Sequence, residues 1–431
     1  MQLKIKFILN AFVCIAMLTA SMESHGQPAP PKLVAGMPVN YDEALTGSYT
    51  LPDPLTFLNG KKVSNVKMWT RQRRKEILNL FEENQFGKTP PKPAELSFNV
   101  FDKGTLVFNG KAIRKQVTIY FTKDTSNHKM DLLIYLPVER TKPVPLLLNI
   151  SFSANSTVVD DPGVKQGMVW KGENRVPVTN SLFGKVNVEK FISNGFGYAT
   201  VYYGDIEPDF KKGIKYGIRS LYLKPGETQV ASNEWGAISA WSWGLSRAMD
   251  YIETDKEIDA KRVAITGASR LGKTALWTGA RDQRFAMVIA SVSGESGAAL
   301  SRRNYGETVA HMTDTSRYFY QFAPHYHDYA NRVNDLPVDG HMLISLIAPR
   351  PLLLQTGSTD NWSDPKGEFL AAKAAGPVYR LFGKESIEKT DMPDPGDDTM
   401  LNTLGYYMHS GGHGVLPEDY DIFIRFMLKY L

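Results

Sequence analysis

Ser269 stands in a stretch of the chain that has the features of a serine nucleophile. Residues 262–277 read as a buried strand, then small residues around the serine, then a helix. A strand-to-helix turn of this kind exposes the serine oxygen above the edge of a sheet, where it can attack a carbonyl carbon. Gly267 gives the turn room, whereas Gly272 follows the serine by three residues, one later than in the usual G-x-S-x-G pattern. The helix that begins after the serine favours negative charge developing nearby.

Two other interpretations of this stretch stay open. Ser269 could simply cap the helix, because serine is a favoured N-cap residue. Residues 267–274 also satisfy the phosphate-loop pattern G-x-x-x-x-G-K-[ST], in which Lys273 would contact phosphate and Thr274 magnesium. Two observations oppose a nucleotide-binding enzyme. The N-terminus has the pattern of an export signal, described below, and little sequence follows this loop to form a nucleotide-binding core. We therefore favour the nucleophile.

A serine nucleophile needs a general base, and in α/β-hydrolases the chain order is serine, acid, histidine. Of the eight histidines, only His409 and His413 follow residues 351–354, which we predict to be the last core strand. His413 lies in the glycine-rich stretch 410–414, which can bring an imidazole over the serine. We therefore predict that His413 is the base and that His409 serves packing or the surface.

The acid of such a triad should follow a late strand. Asp360 comes where the chain turns irregular after the strand at 351–354, so we predict that it orients His413 and balances its charge. Asp364, four residues later, and Glu295, after an earlier strand, remain alternatives.

A metal site has little support in the sequence. His325, His327 and Asp328 lie close together but lack a further ligand at a recognisable spacing. We expect neither a metal nor a cofactor.

The order of strand and helix patterns along the chain predicts an α/β-hydrolase fold, a three-layer sandwich around a mostly parallel sheet. This fold would position the candidate residues. Short buried runs separated by helices are typical of such a sheet, and helical spacing of apolar residues indicates helices over 68–86, 238–252 and 419–431. We predict strands at Lys115–Phe121, Met130–Leu136, Leu146–Ile150, Tyr198–Tyr202, Arg262–Thr266, Met287–Ala290 and Pro351–Leu354.

The N-terminus has the three regions of a secretory signal. Lysines 4 and 6 precede an apolar run, and small polar residues follow it up to position 26. We predict residues 1–26 as a signal peptide, 27–431 as a single esterase domain with an N-terminal lead-in, and a periplasmic or secreted location. The only cysteine, Cys14, lies in this signal, where lipid attachment is a less favoured alternative.

The distribution of charged and apolar residues argues against nucleic-acid binding and a membrane span. The charge of +5 arises from scattered lysines and arginines without a basic block, so we expect no nucleic-acid partner. No stretch after the signal is long and apolar enough to predict a membrane span. We expect a monomer.

Beyond these patterns, the chain resembles the glucuronoyl esterases of carbohydrate esterase family 15, particularly the bacterial branch, from about residue 133 onward. The stretches that carry the resemblance are Tyr203–Asp209, Glu234–Arg247, Ser269–Lys273, Gly297–Arg303, Leu336–Met342, Ala348–Pro351 and Trp362–Glu368.

The resemblance implies hydrolysis of esters that join glucuronic acid groups of xylan to lignin alcohols. It also implies that Arg270 helps to hold the oxyanion and that Lys273, Glu307 and Trp362 bind the sugar.

The chain departs from the family pattern at three places. Ala268 stands where the family usually has Cys or His, and Val292 stands where many members have a catalytic Glu before Ser-Gly. A three-residue insertion would instead bring Glu295 to that position. The aromatic segment usually carrying Trp-Phe is Tyr326–His327, which bears on substrate preference.

The sequence is compatible with three functions. The leading hypothesis is a glucuronoyl esterase. The alternatives are an acetyl or feruloyl esterase acting on xylan and a carbohydrate-binding protein without catalysis. The intact set of Ser269, Asp360 and His413 argues against the last.

Overall fold

A nine-stranded sheet forms the centre of the computed structural model, which describes residues 30–181, 184–228 and 230–431. In chain order its strands are β1 (Ser97–Val107), β2 (Ala112–Tyr120), β3 (Lys129–Pro137), β4 (Val144–Ser151), β5 (Gly197–Tyr202), β6 (Ile258–Ala268), β7 (Met287–Ser291), β8 (Leu352–Gly357) and β9 (Leu404–His409). Two-stranded ribbons pair Leu33–Val34 with Met37–Pro38 and Met168–Lys171 with Asn174–Pro177.

The spatial order of the sheet is β9-β8-β7-β6-β4-β5-β3-β2-β1. The strands from β9 to β5 in this order are all parallel, whereas β3, β2 and β1 are each antiparallel to the preceding neighbour. Because the carboxyl ends of parallel strands meet at one edge, the loops after β4, β6, β7, β8 and β9 converge there. Ligand sites of open α/β sheets lie at such an edge.

Helices cover both faces of the sheet. The longer ones are α1 (Arg74–Asn84), α2 (Ala237–Ile252), α3 (Arg270–Arg281), α4 (Pro365–Leu381) and α5 (Asp419–Tyr430), and shorter helices span Val66–Met68, Asn155–Val158, Val188–Ser193, Tyr203–Ile206, Val309–Thr313 and Gly340–Ser345. One core cluster joins α1 to α4 to the sheet, and a second joins α5 and the helix Val188–Ser193 to its other face.

The alternation along β6 explains the two clusters. Val263 and Ile265 belong to the first, and Ala264 between them belongs to the second, because successive strand side chains point to opposite faces. The result is the α/β-hydrolase sandwich, with a mostly parallel sheet, that the sequence predicts.

Each of the seven predicted strands coincides with a strand of the sheet, although Phe121 and Pro351 lie one residue outside the observed bounds, and two strands of the sheet were not predicted. β1 is half-exposed along its length, and β9 is a six-residue buried run that ends at His409. The prediction that 351–354 is the last core strand is therefore wrong. The predicted helix over 68–86 is interrupted by a π-helical turn at Trp69–Arg73 and ends at Asn84.

Pro31–Leu431 forms one compact unit. Across the three described ranges, no helix is long and apolar enough to cross a membrane. The signal predicted over 1–26, with Cys14, lies outside the described residues.

Candidate active site

Ser269 occupies the sharp turn between β6 and α3. Its backbone has φ 58° and ψ −129°, a conformation that costs free energy for a residue with a side chain. The amide of Ser269 donates to the carbonyl of Ser291 at the end of β7 over 2.9 Å. The serine side chain makes no capping hydrogen bond to α3, so a capping role does not account for this residue.

Two glycines allow this turn. A Cβ at Gly267 would lie 2.4 Å from the carbonyl oxygen of Leu271, and a Cβ at Gly272 would lie 2.6 Å from that of Ser291. The late second glycine thus lets α3 pack directly against the end of β7.

Residues 267–274 do not form the loop that the phosphate-loop interpretation requires. The helix α3 begins at Arg270, so Gly272 and Lys273 lie inside it. A phosphate loop instead needs backbone amides that surround the phosphate before the helix starts.

His413 and Asp360 meet above the carboxyl ends of β8 and β9. Nδ1 of His413 lies 2.7 Å from Oδ2 of Asp360 and 3.1 Å from Oγ of Ser363. The imidazole is 42% exposed, whereas the carboxylate is only 5% exposed. This arrangement orients the ring with a protected carboxylate and leaves its other nitrogen accessible.

The two alternative acids have other partners. Asp364 caps α4 through the amide of Gly367 over 2.9 Å and pairs with Arg303 over 2.9 Å, and burial raises its pKa to about 6 against the effect of that arginine. Glu295 accepts hydrogen bonds from the hydroxyl of Ser301 over 2.6 Å and from the amide of Ser296 over 2.8 Å. Burial raises the pKa of Glu295 to about 8.

His409 is a buried packing residue at the end of β9. Its Nδ1 lies 2.8 Å from Oδ2 of Asp419, and its Nε2 lies 2.9 Å from the carbonyl oxygen of Gly412. Burial lowers the pKa of His409, but the hydrogen bonds to Asp419 and Gly412 outweigh it, so the pKa is raised overall. His409 thereby ties the loop that carries His413 to the start of α5.

A cavity of about 520 Å³ opens at the turn, and Ser269, Arg270 and His413 all line it. Its other walls are largely apolar and include Ile150, Val158, Val186, Val415, Leu416 and Phe423.

Arg270 is held in this cavity by Asp209, to which its Nη1 donates over 2.6 Å. Asp209 also accepts from Tyr320 over 2.9 Å and from Gln321 over 2.8 Å. The guanidinium lies 4.4 Å from the ring centre of Tyr318. Burial lowers the pKa of Arg270, but Asp209 more than offsets it and the pKa is raised overall, so the cation is permanent.

Lys273, Glu307 and Trp362 do not line this cavity but form a neighbouring group. The amide of Glu307 donates to the carbonyl of Trp362 over 2.9 Å, and the Glu307 carboxylate accepts from Arg317 over 2.8 Å. Burial lowers the pKa of Lys273, and the Glu307 carboxylate acts in the opposite direction. The charges of Arg270 and His413 also act on Glu307, so this group adjoins the turn.

Comparisons with known proteins identify the family. A family model described as glucuronyl esterase of fungi matches residues 229–383. Carbohydrate esterase MZ0003, from an unknown prokaryotic organism, is 41% identical over 96% of this chain and 97% of its own. The chain belongs to carbohydrate esterase family 15.

Solved structures of the family agree. A glucuronoyl esterase from Solibacter usitatus is 43% identical, covers 90% of this chain and 99% of its own, and superposes with a TM-score of 0.85. A promiscuous family 15 esterase from a marine bacterial metagenome is 42% identical, covers 91% of this chain and 100% of its own, and has a TM-score of 0.82. The protein is therefore a carboxylic ester hydrolase.

The departure at Val292 has a structural basis in this family 15 esterase. Val292 is buried at φ 41° directly after β7, and its amide donates to the carbonyl of Gln355 over 2.6 Å. Glu295 accepts hydrogen bonds from Ser301 and Ser296 instead. Of the three candidate acids, Asp360 alone contacts the imidazole.

Sequence reasoning assigned no role to Asp209, Ser363 or Arg317, which contact Arg270, His413 and Glu307. Asp209 ends a stretch that carries the family resemblance, and this signal could have drawn attention to it. Ser363 lies in the stretch Trp362–Glu368 and has the same signal, whereas Arg317 lies in none of these stretches.

The histidines considered as metal ligands have other contacts. His327 Nε2 lies 3.0 Å from the carbonyl oxygen of Phe319, and His325 Nδ1 lies 3.0 Å from that of Glu83. Within the described ranges, no group of three or more His, Cys, Asp or Glu could hold a metal ion.

Proposed function

We propose that this esterase hydrolyses esters between glucuronic acid or 4-O-methyl-glucuronic acid groups of xylan and lignin alcohols. The observation that carries the proposal is the 2.7 Å contact of Asp360 with a His413 that shares one cavity with Ser269. Relatives support the substrate. For example, a 4-O-methyl-glucuronoyl methylesterase of Wolfiporia cocos is 34% identical over 77% of this chain and 72% of its own.

The proposed chemistry proceeds through an acyl-enzyme. Oγ of Ser269 attacks the ester carbonyl carbon while Nε2 of His413 takes the serine proton. The negative charge that develops on the carbonyl oxygen is stabilised by Arg270 and by the N-terminus of α3. The alcohol leaves with the proton held by His413, and water, activated by the same imidazole, then releases the acid and restores the serine.

The two sides of the ester have different surroundings. Because His413 protonates the leaving alcohol, that alcohol must lie beside the 413–416 loop, where Val415 and Leu416 continue the wall of the cavity. Apolar walls suit an aromatic alcohol. The sugar is then assigned to the neighbouring group, where Lys273 and Glu307 offer polar contacts and Trp362 offers an aromatic face.

The decisive experiment compares benzyl glucuronate, methyl glucuronate and acetyl-xylan as substrates of the purified protein. We expect turnover of the glucuronate esters to exceed that of acetyl-xylan. Faster release of acetate would instead assign the enzyme to the acetyl esterases, and no hydrolysis of any ester would favour a binding protein.

A nucleophile variant serves as the companion. Ser269→Ala should lower kcat by at least about 10⁴-fold while methyl glucuronate still binds. Wild-type turnover by this variant would remove Ser269 from the mechanism.

We also propose export to the periplasm or exterior, cleavage near Gln27 and a monomeric state. N-terminal sequencing of the exported protein and its molar mass by light scattering test these three points. A mature N-terminus at residue 1 or a stable dimer would contradict them.

A further inference from the structure

The N-terminal segment, residues 31–53, packs on the loop that carries Glu307. Nδ2 of Asn40 donates to the carbonyl of Asn304 over 2.6 Å, and the carbonyl of Asn40 accepts from the amide of Gly306 over 2.8 Å. Glu43 in the same segment pairs with Arg303, and also with Lys366 over 2.8 Å. The lead-in predicted from the sequence is therefore fixed to the site by backbone and ionic contacts.

The loop at Gly306 lies between this segment and the loop of Trp362. A Cβ at Gly306 would lie 2.5 Å from the carbonyl oxygen of Trp362, and Glu307 donates its amide to that same oxygen. The N-terminal segment, the loop at Gly306 and the loop of Trp362 are thus in direct contact. Tyr41 directly follows Asn40, which binds the N-terminal segment to the loop at Gly306.

Tyr41 brings a hydroxyl group into this contact region. Its ring lies edge-on to the ring of Tyr305, with centroids 5.9 Å apart. The hydroxyl oxygen is buried and has no hydrogen-bond partner within the part of the chain that the structure describes. Burial, together with the charges of Tyr305, Glu307 and Asp360, raises the pKa of Tyr41 to about 12, so the group stays a neutral donor.

A buried hydroxyl without a partner lowers stability, because it has lost water and gained no replacement. A carbohydrate supplies hydroxyl and ring oxygens that can accept from it. Tyr41 adjoins the groups on which this ester's sugar is expected. Its neighbour Asn40 binds Gly306, its ring contacts Tyr305, and the residue after Gly306, Glu307, is hydrogen-bonded to Trp362.

We propose that Tyr41 is a substrate-binding residue that donates a hydrogen bond to an oxygen of the uronate sugar. The assignment rests on the proposed function, because it requires a glucuronate on the Glu307 side of Ser269. It gives the N-terminal segment a part in selecting the acyl group, in addition to its packing.

The test is Tyr41→Phe, which removes only the hydroxyl. We expect kcat/KM for benzyl glucuronate to fall about 5- to 10-fold, as for loss of one neutral hydrogen bond. Hydrolysis of p-nitrophenyl acetate, which has no sugar, should not change. Tm should stay equal or rise, because an unpaired buried group has been removed.

Tyr120→Phe is the matched control. Tyr120 ends β2, lies outside the contacts described above, and should leave both activities at the wild-type value. An unchanged kcat/KM for benzyl glucuronate in Tyr41→Phe would overturn the proposal. A lower Tm with equal losses on both substrates would also overturn it, because that result indicates a structural role.

A binding measurement separates this proposal from the proposed function. Calorimetry with methyl glucuronate compares Ser269→Ala with Ser269→Ala/Tyr41→Phe, and we expect the affinity of the double variant to be about 5- to 10-fold lower. Equal affinities would exclude Tyr41, whatever the wild-type turnover. Failure of the wild type to hydrolyse any glucuronate ester would refute the proposed function alone.

Discussion

Asp209 accepts a hydrogen bond from Arg270 over 2.6 Å, although the two residues are 61 positions apart. The pairing aims the guanidinium into the cavity of Ser269, and Tyr320 and Gln321 hold the carboxylate from its other side. Asp209 is thus a positioning residue for a cation that we assign to the oxyanion.

Asp209→Asn keeps the shape of this group and removes its charge. We expect kcat to fall about 10- to 100-fold with little change in KM. Complete loss of one fixed oxyanion donor lowers kcat about 10²- to 10³-fold, and this variant only loosens the position of the Arg270 guanidinium. Steady-state kinetics on methyl glucuronate provide the measurement. Asp161→Asn, which weakens a buried ion pair with Arg114 away from the site, should lower stability without lowering kcat. Similar losses of kcat in both variants would mean that Asp209 acts only through stability.

The acid of the proposed triad can be assigned by comparing two conservative variants. Asp360→Asn should reduce kcat by about 10⁴-fold, because the amide no longer favours the required tautomer of His413. Glu295→Gln should reduce kcat far less, since Glu295 contacts Ser301 and Ser296 rather than the imidazole. The kinetics should be measured on proteins with melting temperatures near wild type. The reverse ranking would identify Glu295 as the acid.

Glu368 on α4 provides a prediction on pH and stability. Burial raises the pKa of Glu368 to about 8. The amide of Gly294 donates to the carboxylate over 2.5 Å and lowers the pKa, but burial outweighs this effect. Because the pKa in the folded state exceeds the ordinary value of 4.5, folding takes up a proton between these limits. This contribution to stability is complete below about pH 4.5 and is lost as the pH rises through about 8.

Glu368→Gln cannot ionise, so Tm should decline less between pH 5 and 9 than in the wild type. Thermal unfolding followed by circular dichroism at several pH values measures the two slopes. The exposed Glu385→Gln should keep the wild-type slope. Parallel slopes for Glu368→Gln and the wild type would show that Glu368 is already ionised in the folded protein.

Val415 tests the assignment of the alcohol side. Val415→Trp should fill part of the cavity beside His413 and lower kcat/KM for benzyl glucuronate at least about tenfold more than for methyl glucuronate. The methyl ester controls for damage to catalysis, and the exposed Val66→Trp controls for the substitution itself. An equal loss on both esters would place the alcohol outside this cavity.

The local parts of the site could be predicted from sequence because their determinants are contiguous. Strand, glycine, serine and helix follow one another around Ser269, and the turn they predict is present. The strands β1 and β9 were missed for different reasons. β1 has a half-exposed edge position that gives weak alternation, and β9 is a run of only six residues next to the glycine-rich stretch 410–414.

Contacts between distant segments could not be predicted in the same way. No periodicity connects Asn40 to Gly306 or Asp209 to Arg270, since each pair depends on how loops pack at the sheet edge. The preference for Asp360 over Asp364 and Glu295 rested only on its place after a strand. In the structure, both alternative carboxylates have other partners. Asp364 pairs with Arg303, and Glu295 accepts hydrogen bonds from hydroxyl and amide donors.

The buried contact between His409 and Asp419 has a consequence for protein synthesis. Asp419 begins α5 and also accepts from the amide of Leu416 over 2.7 Å, so the loop of His413 is anchored to a helix translated after it. A nascent chain that has not yet released α5 from the ribosome contains Ser269 but lacks the anchor of the loop that carries His413. If Ser269 is the nucleophile that we propose, an active-site-directed phosphonate should label full-length protein and not protein that has lost α5. The labelled fraction would then report the loss of α5 by C-terminal proteolysis, once mass spectrometry has identified the truncated species.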